Sequence, residues 1–189
     1  MRKPFAAILV LLLSASLALS IQKPNEWIKY TSPEGRYTVL LPAQPSVTTQ
    51  EATAATGDKF SQYLASVVQP GDVAFMIGYF DNVPGTIFSA DAARDGMVKR
   101  INGTLISETA ISLGAYPGRE LKLLAKPAPE QPAEGAKAAN GVEYTVRVRF
   151  YEVDKRVYVL QLISPRSLES EALAANATKY FDSFQVVKN

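Results

Sequence analysis

The side chains with the strongest claim to chemistry are two arginines, Arg147 and Arg149, set two residues apart in an alternating run. In extended backbone this spacing puts both guanidiniums on one strand face, about 7 Å apart, where they can hold a carboxylate or a phosphate. The same spacing suits a solvated sheet face whose charges pair with Glu143 or with a neighbouring strand, and both readings stand. A second candidate is the turn Gly114-Ala115-Tyr116-Pro117-Gly118, followed by Arg119 and Glu120. Tyr116 and Arg119 would serve a binding loop there, whereas the glycines alone read as suppliers of positive φ. Asp81, Asp91 and Asp95 lie close in sequence and offer carboxylates for Ca²⁺ or acid–base work. Their spacing is not that of an EF-hand, however, and Asp91 and Asp95 suit the start of a helix. Trp27, Tyr30, Tyr37, Tyr63 and Tyr79 either line a pocket or pack a core.

Composition removes more chemistry than these residues offer. The 189-residue chain has no histidine and no cysteine. Zinc and copper sites lean on those two residue types, and no imidazole is present to activate a serine or cysteine nucleophile. No strand–GxxxxGK–helix arrangement forms a phosphate cradle. The expectation is a protein with no metal site, no cofactor and no enzymatic activity, held by its core without disulfides.

Residues 1–20 read as a secretion signal. Arg2 and Lys3 precede an apolar run from Phe5 to Leu13, small residues follow, and Ala18-Leu19-Ser20 offers a cleavage site after Ser20. An uncleaved anchor is the alternative, although the run is shorter than the roughly 20 residues that span a bilayer. The whole chain carries 20 Lys+Arg against 18 Asp+Glu; removing Arg2 and Lys3 leaves 18 against 18 and no net charge. That balance predicts no nucleic-acid partner and, after cleavage, no stable membrane insertion. The expected location is the periplasm or the outside of a bacterial cell.

The elements that must position the candidates follow from punctuation and periodicity. Strands are predicted over Arg36–Leu41, Ser46–Thr53, Phe60–Val68 and Val73–Phe80, the last apolar enough to be covered on both faces. A helix capped by Thr86 or Ser89 follows, with Phe88, Ala92, Met97, Val98 and Ile101 on its buried face and Gly103 at its C-cap. Thr104–Leu113, Arg119–Leu124, Val142–Tyr151 and Arg156–Ile163 read as further strands. Lys126–Asn140, rich in Ala, Pro, Glu, Gly and Lys, reads as a mobile loop. A second helix opens at Ser164-Pro165 with Ser167 as N-cap and Leu168, Ala172, Leu173 and Tyr180 or Phe181 buried. A short strand from Phe184 to Val187 closes the chain. Hairpin-length connections make this an α+β fold, a largely antiparallel sheet of about seven strands with helices packed on it, in one domain over 21–189.

Several segments carry a resemblance. Trp27 with Ser32-Pro33-Glu34-Gly35-Arg36-Tyr37-Thr38-Val39-Leu40-Leu41-Pro42 resembles the opening of small exported domains of the Mog1/PsbP-like fold. The Gly114–Glu120 turn, Arg149-Phe150-Tyr151, Arg156-Val157-Tyr158-Val159-Leu160 and Tyr180-Phe181-Asp182-Ser183-Phe184 continue the likeness. The resemblance implies an antiparallel sheet between helices that serves as a binding or accessory scaffold. The expected function is therefore an exported, non-enzymatic module that docks a protein partner. The alternative is a small-ligand carrier binding an anionic or amphipathic molecule between sheet and helix, with Arg147 or Arg149 as anchor.

Overall fold

The computed structural model describes residues 26–53, 57–83, 85–125 and 141–187, together with the backbone of 3–5. Most of the predicted signal and the predicted loop Lys126–Asn140 lie outside the described residues. One short strand, β1 (Lys3–Phe5), falls within the predicted signal and pairs in parallel with β7 (Thr86–Phe88).

The main sheet has seven strands: β4 (Ser46–Thr53), β5 (Lys59–Gln69), β6 (Val73–Asp81), β11 (Arg156–Pro165), β10 (Tyr144–Val153), β9 (Tyr116–Ala125) and β8 (Thr104–Leu113), in that spatial order. All neighbours run antiparallel. Every residue of β6 from Val73 to Phe80 is buried, as a strand covered on both faces requires. A second sheet of three strands, ordered β12 (Gln185–Val186), β3 (Tyr37–Leu41), β2 (Ile28–Ser32), was not foreseen as separate. Its closing strand joins the two ends of the domain through Gln185 and Thr38.

Alternation along the strands sorts side chains onto two cores. One face carries Phe75, Ile77, Tyr158, Leu160 and Tyr151 against β3 and helix α2 (Glu171–Asp182). Tyr37, Val39 and Leu41 of β3 are at most 2% exposed, each contributing about 2 kcal/mol of burial. The other face carries Phe80, Leu121, Val148 and Phe150 against β7 and helix α1 (Ala90–Arg100).

Both helices correct details of the sequence reading. Ser89 caps α1, its hydroxyl accepting from the Ala92 amide at 3.2 Å. The buried residues are Ala93 and Met97, four apart, because Phe88 belongs to β7 and Ala92 is turned partly outward. At the far end the left-handed residue is Asn102, with φ of 46°, not Gly103. The Gly103 amide instead donates to the Val98 carbonyl at 2.9 Å, and Asn102 to Lys99 at 3.3 Å, which closes a Schellman turn. Ser170, not Ser167, caps α2, accepting from the Leu173 amide at 3.2 Å. Strand β11 runs on to Pro165, opposite Tyr144, and a 3₁₀ turn over Arg166–Leu168 takes the place of the first predicted helical turn. The buried face of α2 is accordingly Ala177, Tyr180 and Phe181, while Leu168 and Ala172 are exposed.

Candidate functional site

Arg147 and Arg149 project from β10 toward α2. Arg149 donates through Nε to Glu120 of the adjacent strand, its register partner, and through Nη1 to Asp182 of α2 at 2.6 Å. Its guanidinium carbon stands 5.0 Å from the Phe181 ring centroid. Arg147 lies 3.8 Å from Glu120 and 5.8 Å from the same ring. The row is thus a seam between sheet and helix with its charges met from within the chain. Glu143 is taken by Arg166 at 2.7 Å.

The Gly114–Gly118 segment is not a five-residue loop. Only Gly114-Ala115 turns, with Gly114 at φ 61°, and Tyr116 already begins β9. Tyr116 packs against the α2-side core. Arg119 points to the opposite face, donating to Asp91 at 2.6 Å and to Glu108. Arg94 joins the same network, reaching Asp95 at 2.8 Å and Glu108 at 2.9 Å. Asp81 sits apart from Asp91 and Asp95, in a bidentate pair with Arg156 at 2.7 and 2.9 Å. Among the described residues no group of three His, Cys, Asp or Glu side chains is arranged to hold a metal ion.

Two features were not singled out in advance. The first is the outer edge of the sheet. Among the described residues strand β4 pairs only with β5, and its residues are largely exposed. Within it Val47 is 60% exposed, while on the neighbouring β5 Tyr63, 38% exposed, stacks on Tyr79 at 4.7 Å and 10°. Arg156 covers Tyr79, its guanidinium carbon 4.6 Å from the ring, and donates to the Glu34 carbonyl at 2.7 Å. The alternation of β5 held the signal: of its two rings Phe60 falls on the buried phase and Tyr63 on the exposed one, next to a threonine-rich neighbour. The second is a small cleft of about 180 Å³ beneath the start of α1, walled by Phe88, Ala90, Pro117, Arg119, Phe150 and Glu152.

The ionisable groups predict the pH dependence of stability. Hydrogen bonds from Arg156, Arg119 and Lys122 hold the carboxyls of Asp81, Glu108 and Glu169 below their ordinary range. Their stabilisation is full above the unfolded values near about 4 and is lost as pH falls through the lower folded ones. Burial pushes the Tyr79 hydroxyl up to about 12 and also raises Tyr37, Tyr158 and Tyr180. That stabilisation is full below about 10 and is lost as pH rises through the folded values. With no histidine or cysteine, the urea midpoint will be flat from roughly pH 5 to 9 and fall on either side. A step near neutrality would contradict this account.

Sheet order, the two-faced core and the small third layer define an α+β sandwich with a Mog1/PsbP-like fold. The structure is similar to the solution structure of cyanobacterial PsbP (CyanoP) from Synechocystis, with a TM-score of 0.55, 11% identity, and 90% of this chain and 98% of that chain covered. It also matches the crystal structure of the Ran-binding protein Mog1p from Saccharomyces cerevisiae, with a TM-score of 0.47, 11% identity, and 88% and 97% of the two chains covered. No family model matches the sequence. No curated protein matches it. At these identities the likeness is one of fold, and function must be argued from the surface.

Proposed function

We propose that this is an exported, non-enzymatic docking module that binds a protein partner by adding the partner's extended strand to the β4 edge. The observation that carries the reading is this edge, eight residues long and without a second partner strand among the described residues, with Val47 exposed on it and the Tyr63–Tyr79 stack beside it. Unpaired N–H and C=O groups along such an edge are a template for another strand, and tyrosine with arginine nearby supplies the anchors that interfaces favour. The opposite edge is less suited, since β8 carries a bulge between Leu105 and Ser107 that interrupts regular pairing. Export rests on the leader over residues 1–20, with the mature chain starting at Ile21. Among the described residues no helix is long and apolar enough to cross a membrane.

The test is site-specific photo-cross-linking in the native cell, with the probe placed along β4 and, as a control, on the exposed face of α2. Proline is then introduced at whichever of Thr49 and Gln50 directs its N–H outward, which blocks strand addition while leaving the β4–β5 ladder intact. The expected result is one recurrent partner captured from β4 and lost with proline, with an unchanged melting temperature. Capture that survives the proline, or that comes equally from α2, would overturn the reading. A second reading, a small-ligand carrier with its site between sheet and helix, has one observation behind it: the cleft under α1.

A further inference from the structure

The cleft's walls define which ligand it suits. Its floor is apolar: Phe88 from β7 meets Phe150 of β10 edge-on at 5.7 Å, with Pro117 and Ala90 alongside. Its volume, about 180 Å³, is close to that of cavities of about 150 Å³ that accept a benzene ring. Two charged side chains share the wall, and they are not equivalent. Arg119 already spends its charge on Asp91 and Glu108. Glu152 accepts a hydrogen bond from the Asn82 amide at 3.0 Å and forms no ion pair with a cation among the described residues. A neutral amide orients that carboxylate without neutralising it. Among the residues lining the cleft the charged ones are Arg119 and Glu152, one of each sign, and Arg119 is already paired with Asp91 and Glu108. With Arg119 so committed and Glu152 met, among the described residues, only by a neutral amide, a cation on a small apolar body finds a counter-ion and aromatic walls here.

We infer that this cleft binds a primary ammonium carried on a short apolar stem, with Glu152 as the counter-ion and Phe88, Phe150 and Pro117 enclosing the stem. The inference rests on the carrier reading but moves its site, since Arg147 and Arg149, the anchors expected for an anionic or amphipathic ligand, lie against α2 and the cleft lies on the α1 side. The same chemistry is offered by a free alkyl or aryl amine and by a lysine side chain of a partner.

The experiment is titration of the ¹⁵N-labelled protein, followed by amide shifts, with phenethylammonium, its uncharged analogue 2-phenylethanol, phenylacetate, and an Nα-acetyl-lysine methylamide. The expected result is saturable shifts at Phe88, Ala90 and Gly118 with phenethylammonium, roughly tenfold weaker in Glu152→Gln, which keeps the side chain's shape and removes its charge. Ala90→Leu fills the cleft without touching an ion pair and is expected to abolish the shifts while α1 stays folded. Stronger binding of the lysine derivative would assign the ligand to a protein partner, and stronger binding of the aryl amine to a free small molecule; either outcome supports the ammonium site. Equal binding of phenylacetate or phenylethanol would overturn the ammonium assignment while leaving the carrier reading in place. No saturable shift with any of the four would overturn both, and neither result bears on capture at the β4 edge.

Discussion

Phe181→Ala will lower the unfolding free energy by about 3–5 kcal/mol, the range for truncating a buried aromatic side chain. For a domain of this size that corresponds to a fall in melting temperature of about 10 °C. The ring is 2% exposed and lies next to Tyr180, which is fully buried and donates its hydroxyl to the Met76 carbonyl at 2.5 Å. These two residues and Ala177 are the buried face by which α2 is held to the main sheet. The loss has a second component, because the Arg149 guanidinium lies over the ring while reaching Glu120 and Asp182. Phe181→Leu separates the two. It keeps most of the apolar volume and removes the π-face, so its cost is expected near 1 kcal/mol. A double-mutant cycle of Phe181→Leu with Arg149→Met should return a coupling of about 0.5–1 kcal/mol. Thermal and urea unfolding followed by circular dichroism measure both. A cost below about 1 kcal/mol for Phe181→Ala would mean that α2 is anchored elsewhere.

The arginine row also shows which information the sequence holds. The alternation from Val142 to Tyr151 places Arg147 and Arg149 on one face, and the structure keeps them there. Sequence does not reveal what lies opposite, because Glu120 and Asp182 are 29 and 33 residues from Arg149 and reach it through strand register and helix docking. Periodicity is a local signal; register is settled by the whole sheet. The same distinction explains other outcomes. Strands β4, β6 and β8 have the predicted starts because Pro45, the Pro70–Asp72 turn and the end of α1 precede them. Ser167 and Ser170 both fit an N-cap, and only tertiary placement of Ala177, Tyr180 and Phe181 selects the second. The cleft joins Phe88 to Phe150 and Glu152, elements separated by a helix and two strands, so no sequence window contains it. The β4 edge became visible only once strand order was known.

Gly118→Ala is the second large effect, and it separates two reasons for keeping a glycine. Both Gly114 and Gly118 read from sequence as suppliers of positive φ. Gly114 does that, at φ 61° with nothing within 4 Å of an added Cβ, so Gly114→Ala costs only the left-handed strain, about 1–2 kcal/mol. Gly114→Asn should recover part of it, since asparagine tolerates that conformation. Gly118 has no positive φ; it lies within β9 opposite Tyr151, and an added Cβ would sit 2.5 Å from the Phe150 carbonyl oxygen and against the Tyr151 ring. A backbone oxygen cannot rotate away, and the Tyr151 ring is held in a stack with Phe184 at 5.8 Å. Relief requires β9 and β10 to separate, so the expected cost is about 3 kcal/mol, at the top of the range for overpacking. Because Phe150 and Gly118 both border the cleft, the same substitution should weaken phenethylammonium binding, whereas Gly114→Ala should leave it unchanged. If Gly118→Ala proves no costlier than Gly114→Ala, the close approach of β9 to Tyr151 is not what the glycine serves, and the shape of the cleft must be set by other contacts.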